Sequence, residues 1–122
     1  MTDNPYVFFL DDAAFKEVRP GFRRRTFNGD NLSLCFWRIK GGVAPTPYDG
    51  HPENEQFGLI LAGGLDFRIG SDERVVLGPG DVYYAPRNLP HGDSRFIGDP
   101  ERGDEVWIMD IFSPVREEYR NG

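Results

Sequence analysis

Residues 65–86 read LDFRIGSDERVVLGPGDVYYAP. Leu65, Phe67 and Ile69 alternate with Asp66 and Arg68, the two-residue period of a strand with one buried face. Ser71-Asp72 turns the chain and residues 74–77 pair back. Gly78-Pro79-Gly80-Asp81 then turns it into a further strand over 82–86. This rhythm extends in both directions. Upstream, Asn28-Gly29-Asp30-Asn31 is a hairpin turn, since Asn and Gly tolerate positive φ at little cost. It joins a strand over 22–27 to one over 32–40. In the latter, Leu32, Leu34 and Phe36 share one face and Ser33, Cys35 and Trp37 the other. Residues 41–52 form a Gly- and Pro-rich loop before a strand over 56–61. Downstream, a long strand covers 105–112 and precedes a short polar tail with helical character. Residues 11–18 suit one or two helical turns, with acids at the front and Lys16 near the end. About nine short strands at near-regular spacing imply an all-β chain, an antiparallel sandwich or barrel closed against exposed edges.

Composition agrees. The chain has 122 residues, enough for one domain with its own core. Its 15 glycines, 10 prolines and 17 aromatics favour turns and strands over helices. The expected division is an N-terminal arm over about 1–20, a barrel over about 21–113 and a short tail, all within a single domain over 1–122. A net charge of −6 argues against a nucleic-acid partner, which needs clustered Lys and Arg. The lone Cys35 allows no internal disulfide. Residues 1–4 lack a cationic stretch, and the apolar run over 6–10 is too short for a signal peptide or a bilayer span. The expected setting is cytoplasmic, with no membrane partner.

Only two histidines are present, His51 and His91, each beside an expected strand in a polar, turn-rich segment. Asp49-x-His51-x4-Gln56-x6-Gly63 is followed by Gly80-x5-Pro86-x4-His91. The pair of segments resembles the two motifs of the cupin superfamily, small jelly-roll β-barrels that usually hold one divalent metal. The first motif of that family begins His-x-His, and Asp49 stands here in place of its first histidine. The resemblance implies a metal set of Asp49, His51, Gln56 and His91. Such a mixed nitrogen and oxygen set suits Fe, Mn, Ni or Zn with open positions for substrate. Asp49 either completes that set or caps the turn at Gly50.

The ending over 105–119, EVWIMDIFSPVREEY, is similar to a cupin subgroup, the isomerases of pectin and alginate degradation that linearise unsaturated uronates. That resemblance places Asp110, Phe112 and Arg116 in the pocket. Asp110 and Phe112 also share a strand face with Ile108, so an inward Asp110 is a buried carboxylate placed to move a proton. Arg116 suits a two-point grip on a substrate carboxylate; the alternative is that Asp110 and Arg116 pair with each other. Arg23 and Arg25 share a face, where they meet either an anionic substrate or acids on neighbouring strands. The resulting expectation is a metal-dependent isomerase or lyase acting on a small carboxylated carbohydrate or related anionic metabolite, working as a homodimer. The alternatives are a non-haem iron dioxygenase, a non-catalytic ligand-binding cupin and a polyketide-cyclase-type cupin.

Overall fold

The structure, a computed structural model, describes residues 4–120. Three residues of the expected arm and two of the expected tail lie outside the described residues. Ten strands follow one another: β1 (Lys16–Arg19), β2 (Phe22–Asn28), β3 (Ser33–Lys40), β4 (Tyr48–Asp49), β5 (Glu55–Ala62), β6 (Gly64–Ile69), β7 (Arg74–Leu77), β8 (Val82–Ala85), β9 (His91–Ile97) and β10 (Glu105–Ser113). They form a six-stranded sheet in the order β1-β2-β3-β10-β5-β8 and a four-stranded sheet in the order β4-β9-β6-β7. All pairings are antiparallel, and the architecture is a jelly roll. No helix among the described residues is long and apolar enough to cross a membrane.

Alternation decides what lies between the sheets. β10 alternates strictly, with Val106, Ile108, Asp110 and Phe112 buried. β5 does the same with Gln56, Gly58, Ile60 and Ala62. The main core draws Phe22, Ile39, Ile60, Val106 and Ile108 from the larger sheet and Leu65, Phe67 and Phe96 from the smaller. Phe22 and Phe96 meet edge to face across the gap, with ring centroids 5.6 Å apart. The outer face of the smaller sheet is ionic: Arg74 reaches Asp66 at 2.7 Å and Asp93 at 2.7 Å.

The structure departs from the sequence expectations in two places. Residues 16–19 form a strand where a helix was expected, and only Asp12–Ala14 make a 3-10 turn. Pro20-Gly21 serves as a hairpin turn, with Gly21 at φ 83°, and Glu17 stands opposite Arg23 across it. β9 was hidden in the sequence because Gly92 and Asp93 look like breakers. Both have positive φ and sit where the β6–β9 register shifts, so the strand passes through a bulge. In β3, whose buried face alternation alone left open, Ser33, Cys35 and Ile39 are buried. Leu34 and Phe36 lie outside, with Phe27, in a groove shared with Phe8 and Leu10 of the N-terminal arm.

The face assignment in β5 gives a direct check. Ile60 is fully buried and its neighbour Leu61 is 42% exposed. Ile60→Ala is expected to cost about 2–5 kcal/mol in urea unfolding and Leu61→Ala less than about 1 kcal/mol. Equal costs would show that the register is wrong.

Candidate metal centre

Three nitrogen and oxygen donors meet between the sheets. Gln56 lies near the start of β5 on its buried face, His91 opens β9, and His51 comes from the loop between β4 and β5. His51 Nε2 lies 3.0 Å from Gln56 Oε1, and His91 Nε2 lies 3.1 Å from the same oxygen. The two imidazole rings are 5.3 Å apart, edge to face. At the other end of the amide, Gln56 Nε2 donates to the Tyr83 hydroxyl at 2.7 Å. That hydroxyl donates to Asp110 Oδ1 at 3.2 Å.

Protonation states follow from these contacts. His91 Nδ1 lies 3.0 Å from the Leu89 carbonyl, which can only accept, so Nδ1 carries the hydrogen. Burial holds the His91 pKa below its ordinary value, and the His51 and Arg116 charges act in the same direction. The ring is therefore neutral at pH 7 and its Nε2 presents a lone pair to the lone pairs of Gln56 Oε1. Two acceptors this close repel unless a positive centre sits between them. Asp110 is held up, at about 6, by burial; the Tyr83 hydroxyl, Gln56, Arg116 and Trp37 oppose the shift. Burial also pushes the Cys35 and Tyr119 pKa values up, so Cys35 is a packed thiol and no nucleophile.

The remaining expected site residues are distributed as follows. Phe112 is buried, 6.0 Å from the His51 ring and 5.4 Å from Tyr119. Arg116 stacks over Phe112 at 4.7 Å, and its Nε is bonded to Glu118 and not to Asp110. A polar cavity of about 300 Å³ lies beside it, lined by His51, Glu53, Asn54 and Arg116 among others. A second cavity, of about 160 Å³, is lined by His91, Tyr83 and Asp110 among others.

Two expectations need correction. Asp49 is exposed, and among the described residues no three His, Cys, Asp or Glu side chains are grouped to hold a metal. It sits on a two-residue edge strand, where water solvates the carboxylate better than the interior does. Arg23 and Arg25 point to the outer face. Arg23 pairs there with Asp12 at 3.0 Å and Glu105 at 2.9 Å, while Arg25 stacks over Phe27. The arginine on the inner face is Arg24, opposite Trp37 in the register and stacked 4.8 Å over Tyr119. Sequence reasoning also passed over Asn54 and the polar role of Tyr83. Asn54 is buried and donates to the Pro114 carbonyl, which ties the His51 loop to the end of β10. The available signal for Tyr83 was its register: it faces Gly58, the only inward residue of β5 without a side chain.

An antiparallel jelly roll carrying such donors where β5 and β9 begin has a family. The chain matches the cupin domain (Cupin_2) over residues 35–95, half of its length. It is a cupin. The structure resembles KdgF from Halomonas sp., with 26% identity, a TM-score of 0.77, and coverage of 92% of this chain and 98% of that one. An RmlC-like cupin from Shewanella frigidimarina is similar at 19% identity and a TM-score of 0.78, covering 95% and 96%. An oxalate decarboxylase from Lactobacillus farciminis shares the fold at 15% identity and a TM-score of 0.65, covering 82% of this cupin and 30% of that chain. No curated protein matches by sequence. Cupins commonly bind a metal. The residues of this cupin fit one: two imidazole Nε2 atoms converge on one amide oxygen, and His51 Nδ1 is buried with no hydrogen-bond partner among the described residues.

Two measurements follow. In chelator-treated protein, Asp110 holds its proton more tightly folded, at about 6, than unfolded, near 3.8. The stability it adds is complete below about pH 4 and lost as pH rises through 6, leaving a buried carboxylate that costs of order 3 kcal/mol at pH 8. Asp110→Asn should therefore unfold at a higher temperature than wild type at pH 8, with the gap closing toward pH 4. A gap constant with pH contradicts the raised pKa. At Gly58, a Cβ would lie 2.0 Å from the Tyr83 ring. Gly58→Ala should displace that ring and break its bonds to Gln56 and Asp110, with loss of the Tyr83 hydroxyl contacts in a crystal structure and about 2 kcal/mol or more of stability. An unmoved ring would count against the notch.

Proposed function

We propose that this cupin is a metal-dependent enzyme of the isomerase or lyase type, acting on a small oxygenated metabolite that carries an anionic group. The observation that carries the reading is the convergence of the His51 and His91 Nε2 atoms on Gln56 Oε1, next to a buried carboxylate with a raised pKa. His51, Gln56 and His91 would hold one divalent metal. When bound, it would supply Lewis-acid polarisation of a substrate hydroxyl or carbonyl oxygen. Asp110, with a pKa near the working pH, takes a proton from a substrate carbon or returns one to it. Tyr83, whose hydroxyl bonds Asp110, orients the carboxylate and stays protonated, its own pKa pushed well up by burial. Arg116 grips the anionic group once it exchanges its Glu118 partner for the substrate.

The resemblance of the 105–119 ending to the uronate-linearising cupins supports proton-transfer chemistry on a small acid, and the likeness to KdgF at 26% identity supports the cupin scaffold for it. The dioxygenase alternative has less support, because two histidines here are joined by an amide and not by a carboxylate. Cobalt titration followed by its visible absorption tests the metal set. Wild type and Asp49→Asn should each bind one Co²⁺ with similar affinity. His91→Ala should bind at least about 100-fold more weakly while keeping the wild-type circular dichroism. Unchanged affinity in His91→Ala, or a large loss in Asp49→Asn, would overturn the three-donor set.

A further inference from the structure

The cavity that reaches Asp110 and His91 is lined mostly by apolar side chains. Its body is formed by Phe22, Trp37, Leu65, Phe67, Phe96 and Ile108, all carbon surface apart from the Trp37 indole nitrogen. The polar groups beside Asp110 are already engaged: the Tyr83 hydroxyl donates to Asp110 and accepts from Gln56. Along the wall, the Thr46 hydroxyl accepts from the Ser94 backbone. At the rim, the Arg19 guanidinium lies over the Phe22 ring, 3.9 Å from its centroid. A ring studded with hydroxyl groups would bury most of them against Phe, Leu and Ile without partners, and each unpaired hydroxyl opposes binding. The volume, about 160 Å³, is that of an apolar cavity that accepts one benzene-sized ring.

We propose that the ligand of this cavity is a single carbocyclic ring bearing one oxygen substituent, a phenol or ring carboxylate, and not a polyhydroxylated sugar acid. The carbon skeleton seats between Phe22, Leu65, Phe96 and Ile108, and the substituent faces Asp110 and His91. This inference rests on the proposed function for the chemistry at Asp110 and His91 and narrows its substrate class, with Arg19 as the cation the ligand meets in place of Arg116, which lines the other cavity; the seat itself is built by the apolar wall. Two features agree with the assignment. Two flat aromatic surfaces, Phe22 and Trp37, bound the space, and the one cation at the rim suits an anion entering from water.

The test uses full-length protein, chelator-treated and Co²⁺-loaded, with ¹³C-labelled Ile and Leu methyl groups. Phenol is titrated first, then D-galacturonate at the same concentrations. Phenol should shift the Leu65 and Ile108 methyl resonances in both forms, with a Kd of about 1 mM or tighter, and galacturonate should not. Ile108→Phe fills the cavity and should weaken phenol at least about tenfold. Ile108→Ala enlarges it and should shift preference from phenol to 2-naphthol, so a folding failure of one variant leaves the other decisive. Galacturonate shifting the same methyls as strongly as phenol, or phenol binding unchanged in the variant that folds, would overturn the inference. Phenol binding in a protein that takes up no Co²⁺ would sink the proposed function and leave the carbocyclic seat standing. Co²⁺ uptake without any phenol shift would do the reverse.

Discussion

A glutamine amide can point either way, and in this cupin the direction of one amide arranges the whole centre. The carboxylate of Asp110 can only accept when ionised, so the Tyr83 hydroxyl gives its hydrogen to it and must itself accept from Gln56. That fixes the NH₂ of Gln56 toward Tyr83 and the carbonyl oxygen toward both imidazoles. Were the amide reversed, two N–H groups would face the histidines and the donor set would lose its oxygen. The proton-handling carboxylate and the metal-facing oxygen are thus two ends of a single hydrogen-bonded chain. Any event that changes the charge of Asp110 is felt at His51 and His91 through Gln56.

The surroundings keep this chain ordered without neutralising it. Most formal charges of the protein lie on outer faces, where Arg74 bridges Asp66 and Asp93 and Arg23 bridges Asp12 and Glu105. Among the described residues no salt bridge to Asp110 is formed: Arg116, whose charge opposes the raised pKa, is engaged by Glu118 and stacked on Phe112. A direct Arg116–Asp110 pair would have pulled the carboxylate pKa down and left it a poor proton carrier. Separation of the two charges is what lets burial set the value.

How much of this was readable depends on whether a residue's environment is local. Gln56 and His91 stand beside strand starts, and their positions follow from turn residues such as Gly50-His51-Pro52 and Leu89-Pro90, which are visible in the sequence. The inward faces of β5 and β10 follow from strict alternation. The two arginine-bearing faces of β2 could not be told apart this way, because both mix charge with aromatics. Only pairing with β3 decides, placing Thr26 opposite the buried Cys35 and hence Arg24 inward. In β3 itself, alternation sorted the residues onto two faces without saying which is buried; Leu34 and Phe36 lie outside, where the arm carrying Phe8 and Leu10 gives that face an apolar partner. The two-strand hairpin at Pro20-Gly21 and the bulge at Gly92 were obscured because each uses breaker residues inside regular pairing. Asp49 shows the opposite limit: its spacing matches a ligand position, but spacing carries no information about whether a carboxylate leaves water.

The contact between Gly58 and Tyr83 reaches beyond this one chain. Gly58 has no positive φ to accommodate, so its missing side chain serves only to admit the ring. The two positions are on neighbouring strands, directly opposite in the β5–β8 register. They should drift through descent as a coupled pair: a lineage that gains a methyl at one must shrink the aromatic at the other, and with it surrender the link between amide and carboxylate. Homologues that keep the notch empty but lack the phenol would mark an ancestor in which the two halves of the centre were still unconnected.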